Sequence, residues 1–220
     1  GILAALAFNS GLPSPNFYIE GIENIQSQDF TYANDFNMTV KHLAVAQLNE
    51  NGVELRSHPV MLRKDSSLAG LKGVRNGIQF DTNLLGEFHI AGSGAGKEST
   101  ASGLISDLFA LSRYSKSPPM LYPDFSSKPP LQNFDDLIFK YYVYLEVKDE
   151  PGVLALISKI FADHTIGFDK VIQKDQLENN NVPVVIFTDP IVESKMQIAL
   201  KALDSHQEVL NSKIIRIEDL

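Results

Sequence analysis

Apolar positions in the last third of the chain follow a clear helical period. Val153, Leu156, Ile157, Ile160 and Phe161 recur at i, i+3, i+4, i+7 and i+8, one buried stripe that predicts a helix from Val153 to about His164. Met196, Ala199, Leu200 and Leu203 form a second stripe. Thr188 or Asp189 is expected to cap that second helix, with Pro190 near its first turn. Runs rich in aromatic and β-branched residues at 137–148, 167–174, 183–188 and 213–217 read as strands. The resulting order, βαββαβ, is the ferredoxin-like split arrangement.

The first part alternates more loosely and reads as α+β. Residues 2–8 suit a buried helix, and Ser27 is placed to cap a short helix through Phe36. Residues 39–48 and 53–62 are strand-like around Asn49-Glu50-Asn51-Gly52, whose Asn-Gly pair accepts the positive φ of a tight hairpin turn. Residues 74–81 and 85–90 make a second pair, followed by a glycine-rich loop and a helix over about 99–112. Consecutive hairpins predict an antiparallel sheet with helices on one face. Ser115, Ser117, Pro118, Pro119, Pro123, Ser126, Ser127, Pro129 and Pro130 break both helix and sheet. The expected division is therefore a domain over 1–115, a linker over 116–137 and a domain over 138–220.

Composition narrows the function classes. No apolar run reaches the roughly 20 residues a bilayer span requires. The stretch from Gly1 to Phe8 lacks the basic flank of a signal peptide. The chain contains no cysteine, which excludes disulfides, thiolate metal sites and thiol nucleophiles and is compatible with a reducing cytoplasm. The net charge is −8 with scattered basic residues, so the stripe that would neutralise nucleic-acid phosphates is missing. Because the first residue is Gly1 and not Met, the chain is expected to be part of a longer product.

Two segments carry candidate chemistry. In Ala91-Gly92-Ser93-Gly94-Ala95-Gly96-Lys97, a strand gives way to a helix, so backbone amides could face an anion. A phosphate loop would need Gly where Ala91 stands and Ser or Thr where Glu98 stands; a carboxylate beside phosphates is the wrong chemistry. A dinucleotide fingerprint would need a parallel strand after the helix. On residues alone this segment is as readily a plain turn. In Asp149-Glu150-Pro151-Gly152-Val153, Asp149 can accept first-turn amides, Pro151 lacks a donor and Gly152 keeps the backbone open. The segment can cradle a small carboxylate at the positive helix end, although a simple cap is the plainer reading.

The other candidates are weaker. His42, His58, His89, His164 and His206 are too far apart for a metal-ligand motif. His58 precedes Pro59, which suggests an edge strand or bulge; Arg56 shares its strand face, which allows a polar pocket there. Glu20, Asp29 and Asp35 invite an acid/base role, with nothing to choose between them.

Several segments, in order, resemble homoserine dehydrogenases. They are Ile2-Leu3-Ala4-Ala5-Leu6-Ala7-Phe8; Ile19-Glu20-Gly21-Ile22 with Asp29, Ala33 and Val40-Lys41-His42-Leu43-Ala44-Val45-Ala46; Val53-Glu54-Leu55-Arg56-Ser57-His58-Pro59; Leu68-Ala69 with Gly73-Val74-Arg75-Asn76-Gly77-Ile78; and Gly92-Ser93-Gly94-Ala95-Gly96 with Thr100-Ala101-Ser102 and Asp107-Leu108. Asp149-Glu150-Pro151-Gly152-Val153-Leu154, Gln173 and Ile215-Arg216-Ile217-Glu218 are similar to the ACT domain that ends bacterial members.

The resemblance implies NAD(P)-dependent interconversion of aspartate 4-semialdehyde and homoserine, in the cytoplasm, on the route to threonine, methionine and isoleucine. The matching catalytic lysine would precede Gly1, so no catalytic residue is carried over and the chain alone is expected to be inactive. Gly92, Gly94 and Gly96 would approach NADP or NAD, and the helix after them would pack on a dinucleotide-binding domain outside this chain. Asp149, Pro151, Gly152 and Val153 would bind a small amino-acid effector, commonly threonine. A homodimer through the antiparallel sheet is expected. Ser99 and Gly103 depart from the family's proline and alanine. The alternative from another class is a non-enzymatic amino-acid-sensing ACT protein.

Overall fold

The computed structural model describes residues 1–8, 17–114, 129–177 and 181–220. Along the chain these form α1 (Ile2–Phe8), β1 (Tyr18–Ile19), α2 (Ser27–Asp35), β2 (Met38–Asn49), β3 (Gly52–Arg63), β4 (Arg75–Thr82), β5 (Gly86–Ser93) and α3 (Lys97–Tyr114). A 3₁₀ turn at Phe134–Asp136 leads into β6 (Ile138–Lys148), α4 (Val153–Asp163), β7 (Phe168–Gln173), β8 (Asn181–Thr188), β9 (Ile191–Val192), α5 (Glu193–Asp204) and β10 (Val209–Glu218). No helix among the described residues is long and apolar enough to cross a membrane.

The boundaries expected at 115 and 138 are not those of the compact units. One unit joins Gly1–Leu62 to Phe125–Leu220, and the other is Arg63–Asp124. In the first, the sheet runs β1-β3-β10-β6-β8-β7, with β2 also on β3 and β9 on β6. The neighbours β10, β6, β8 and β7 are all antiparallel. β3, by contrast, pairs parallel with both β1 and β10. The hairpin β2–β3 therefore joins the sheet of the second half, while β4 and β5 form a separate two-stranded sheet. Parallel pairing between strands so distant in sequence leaves no local turn signal.

Burial explains the composition of β6. Tyr141, Val143, Leu145 and Val147 share a core with Ile157 and Phe161 of α4 and Met196 and Leu203 of α5. Tyr142 and Tyr144 share another with Ala33, Met38, Met61 and Phe187. With α4 and α5 on one face and α2 and β2 on the other, the strand is continuously buried from Tyr141 to Leu145, with its charges, Lys140, Glu146 and Lys148, outside that run, as a doubly covered strand requires.

Several local expectations change. Ser27 begins α2 and Gln26 is its N-cap; the Gln26 N–H donates to Asp29 Oδ2 at 2.8 Å. Helix α5 starts at Glu193, later than Thr188 or Asp189 would place it, because Thr188 continues the sheet: its Oγ1 accepts the Tyr141 N–H at 3.0 Å. Helix α1 forms but buries its small residues, Ala4 and Ala5, and leaves Ile2, Leu3 and Leu6 exposed. Of the expected linker, 115–128 lies outside the described residues. The rest is tied down: Val53 N–H donates to Pro130 O at 2.8 Å and Gln132 N–H to Val53 O at 2.9 Å. A side chain on Gly52, whose φ is +122°, would collide with that same carbonyl.

The unit Arg63–Asp124 pairs β4 with β5 from Arg75↔Ser93 to Thr82↔Gly86. A two-stranded hairpin and one helix cannot cover their own apolar faces. Ile90 of β5 and Leu104, Ile105, Leu108, Phe109 and Leu111 of α3 are accordingly all more than half exposed.

Candidate functional site

The β6–α4 turn is built to leave a helix end accessible. Gly152 is the N-cap with φ +98°, a left-handed conformation that a Cβ disfavours, and no side chain caps the helix. The Asp149 carboxylate accepts from Gln176 Nε2 at 3.3 Å, so Asp149 does not serve as the cap that its position suggested. Val153 N–H turns back to Glu150 O at 3.4 Å and Leu156 N–H bonds Gly152 O at 2.9 Å, which leaves the amides of Leu154 and Ala155 without an intrahelical acceptor. In front of them lies a cavity of ≈ 180 Å³ lined by Lys148, Asp149, Pro151, Gly152, Gln173 and Val184 among others. Val153 and Leu154 complete its helix side. All four residues proposed from sequence as an effector cradle thus meet in one cavity, with Gln173 reaching it from β7. A positive helix end, carboxylates and an amide suit a small molecule carrying both an anion and a cation.

The glycine loop lies in the other unit. Gly92 is in register with Asn76 in the β4–β5 ladder and has open space where a Cβ would stand. Gly94 N–H donates to Val74 O at 2.8 Å, and a Cβ there would strike the Asn76 side chain. Gly96 has φ +129° and starts α3, its carbonyl accepting from Thr100 N–H at 3.1 Å. Gly92 and Gly96 thus present bare backbone, whereas Gly94 is required by Asn76 within the loop itself.

A buried ionic cluster is the largest feature that sequence reading missed. Arg216 on β10 binds Glu193 side-on, Nε to Oε2 at 2.8 Å and Nη2 to Oε1 at 2.6 Å, with both residues 1% exposed. Its Nη1 donates to Glu20 Oε2 at 2.8 Å and its Nη2 to the Tyr18 hydroxyl at 3.1 Å. Tyr141 and Gln197 also donate to Glu193, at 2.7 and 2.8 Å. The guanidinium lies 4.8 Å from the Tyr18 ring centre and 4.9 Å from that of Phe134. Burial alone would raise the Glu193 pKa, but the hydrogen bonds and charge of Arg216 outweigh it and hold the carboxyl below its ordinary value. The converse holds for Arg216: burial opposes its charge, and Glu193 more than restores it. Burial and the bond to Glu20 push the Tyr18 hydroxyl up to about 12. The available sequence signal was a charged residue between Ile215 and Ile217 in a strand.

Beside it, Arg56 lines a polar cavity but His58 does not, being buried behind it, and β3 is not an edge. β3 meets β1 at Arg56 and Ser57 and β10 from Val60 to Leu62, and Pro59 falls between, at a position neither ladder uses. His58 is fully buried, with Nδ1 2.9 Å from Pro59 O and Nε2 2.9 Å from Arg56 Nη1. A neutral ring that donates from Nδ1 and accepts at Nε2 satisfies both contacts. Burial, with the charges of Arg216 and Arg56, pushes the His58 pKa down to about 3.

The remaining candidates are structural. Asp29 is buried against Lys213 Nζ at 2.6 Å, Asp35 pairs with Lys174 at 2.6 Å, and Glu20 belongs to the Arg216 cluster. The His42 ring lies 3.0 Å from Glu20 O. No metal-ligating cluster occurs among the described residues.

Comparison with known proteins gives a consistent result. Residues 1–109 match the family model described as homoserine dehydrogenase. The chain is 37% identical over 219 residues to a homoserine dehydrogenase of Helicobacter pylori, covering 99% of this chain and 52% of that protein. It is 33% identical over 228 residues to one of Pseudomonas aeruginosa, again 52% of that protein. A crystal structure of a homoserine dehydrogenase from Thiobacillus denitrificans superposes with a TM-score of 0.88 at 30% identity, over 99% of this chain and 51% of that one. The chain spans about half the length of the curated relatives it matches.

Proposed function

On the premise that residues 1–109 belong to the homoserine dehydrogenase family, we propose that the chain is the C-terminal, substrate-side and regulatory portion of an NAD(P)-dependent oxidoreductase. That enzyme interconverts aspartate 4-semialdehyde and homoserine. The observation that carries this reading is the match over 99% of the chain to relatives twice as long. NAD(P), when bound, supplies or takes the hydride. Gly92 and Gly96 would lie against it, and the exposed apolar face of α3 would pack on the domain that holds it, or contribute to a homodimer. The 220 residues alone are expected to show no aspartate-semialdehyde-dependent NADPH oxidation, whereas the longer polypeptide containing them should show it. Turnover by the 220 residues alone would mean that the catalytic lysine has been misplaced. Inactivity of the longer polypeptide would favour an amino-acid sensor.

The cavity at Gly152 supports a second element of the proposal, an ACT-type effector site for a small amino acid, threonine first among candidates. The effector carboxylate would face the α4 amides and its ammonium Asp149 and Gln173. Calorimetric titration of threonine tests this with two variants. Gly152→Asn keeps the backbone strain and Gly152→Asp adds a charge; both Asn and Asp tolerate left-handed geometry better than most residues. Binding that survives in Gly152→Asn and is lost in Gly152→Asp is expected. Equal heats in both variants, or none in the parent, would remove the site from this turn.

A further inference from the structure

A second cavity, of ≈ 300 Å³, lies in the first unit and is lined by Glu54, Arg56, Phe139, Lys140, Glu218 and Asp219 among others. Nothing in the proposed activity uses it. Its central feature is Arg56, whose side chain is 4% exposed yet incompletely bonded. Nε donates to Glu54 Oε1 at 2.6 Å, while Nη1 lies 2.6 Å from Glu218 Oε1 and 2.9 Å from His58 Nε2. The Phe139 ring supports it at 4.9 Å. An arginine carries five N–H donors; hydrogen bonds take the one on Nε and one on Nη1, the Glu218 contact is an ion pair whose Oε1 has no hydrogen-bond partner among the described residues, and no described residue accepts from Nη2. A guanidinium held by two carboxylates, an imidazole and a ring, lining a cavity with donors that no described residue takes, is prepared for an anionic oxygen ligand.

The same wall carries negative charge. Glu54 and Glu218 flank the guanidinium, and Asp219 and Lys140 pair across 3.0 Å nearer solvent. A simple anion would gain Arg56 but meet three carboxylates. A simple amine would gain the carboxylates but leave Nη2 unpaired. A small molecule with both charges meets neither cost, and apolar contact is available from Phe139, Ile138 and Ile217. We propose that this cavity is a second binding site, separate from the one at Gly152, for a small α-amino-acid zwitterion whose carboxylate takes Arg56 Nη2 and whose ammonium faces Glu218 and Glu54.

Amide chemical shifts of the 220-residue chain, titrated with L-alanine, propionate and ethylamine, test the site directly. L-Alanine is expected to move the amides of Lys140, Ile217 and Glu218 saturably. The two single-charge probes should bind there about tenfold more weakly or worse, since each lacks one charge-assisted contact. Ile138 is 63% exposed and lines the cavity, so Ile138→Trp should block it without opening the core. That variant should lose these shifts while keeping any at Gly152 and Val153, which separates this site from the effector proposal. The proposal is overturned if L-alanine moves only the Gly152 region or nothing, if propionate or ethylamine binds as well, or if Ile138→Trp, folded by its spectrum, retains the shifts.

Discussion

Replacing Arg216 with methionine is expected to lower the unfolding free energy by about 3–5 kcal/mol, the usual cost of removing one partner of a buried ion pair. The reason lies in what remains. Glu193, 1% exposed, would keep Tyr141 and Gln197 as donors but lose both side-on bonds and the one cation that pairs with it among the described residues. Glu20 and Tyr18 would lose their anchor as well, loosening β1 on β3. Equilibrium urea unfolding measures the loss. Adding Glu193→Gln should recover much of it, because the penalty comes from the stranded carboxylate more than from any net strength of the pair. A single variant within about 1 kcal/mol of the parent would show that water or rearrangement satisfies Glu193, and that the cluster does not hold the two ends of the chain together.

His58 should make the chain sensitive to acid. Its pKa is held at about 3 in the fold against an ordinary 6.5. Below 6.5 the unfolded chain takes up a proton that the folded one refuses, so this contribution is present in full above 6.5 and is lost as pH falls from there towards 3. The slope approaches about 1.4 kcal/mol per pH unit, and the total loss reaches up to about 5 kcal/mol. Carboxylates titrate in part of the same window, so the informative quantity is the difference from His58→Gln, which can still accept from Arg56 but does not titrate. Parallel pH profiles for the two proteins would mean that His58 becomes protonated in the fold, contrary to the neutral ring between Pro59 O and Arg56.

These two residues also bear on the proposed sites. Arg56 is oriented by His58 from one side and by Glu54 and Glu218 from others. Glu218 lies two positions along β10 from Arg216. The cavity at Arg56 and the ionic cluster at Arg216 thus depend on the same parallel register, Arg216↔Val60 to Glu218↔Leu62. The exposed apolar residues of α3 have a different meaning. Leu104, Ile105, Leu108 and Phe109 are all more than half exposed, so α3 leaves an apolar face uncovered among the described residues.

The sequence by itself determined the local elements. The stripe through Val153, Ile157 and Phe161 requires a helix with one buried side, and it is buried. The Asn51-Gly52 turn and the glycine at 152 both take the positive φ that their composition allows. The ordered segments that resemble homoserine dehydrogenases are legible in the sequence, because a motif is a local string. Only the tertiary structure decided which strands become neighbours. That β3 lies parallel to β10, that α2 covers the second face of β6, and that Arg216, Glu193, Glu20 and Tyr141 share one buried cluster are facts about residues far apart in the chain. Periodicity reports which face of an element is apolar, and it contains no term for what that face will meet. Pairing depends on the free energy of the assembled core, to which every element contributes at once.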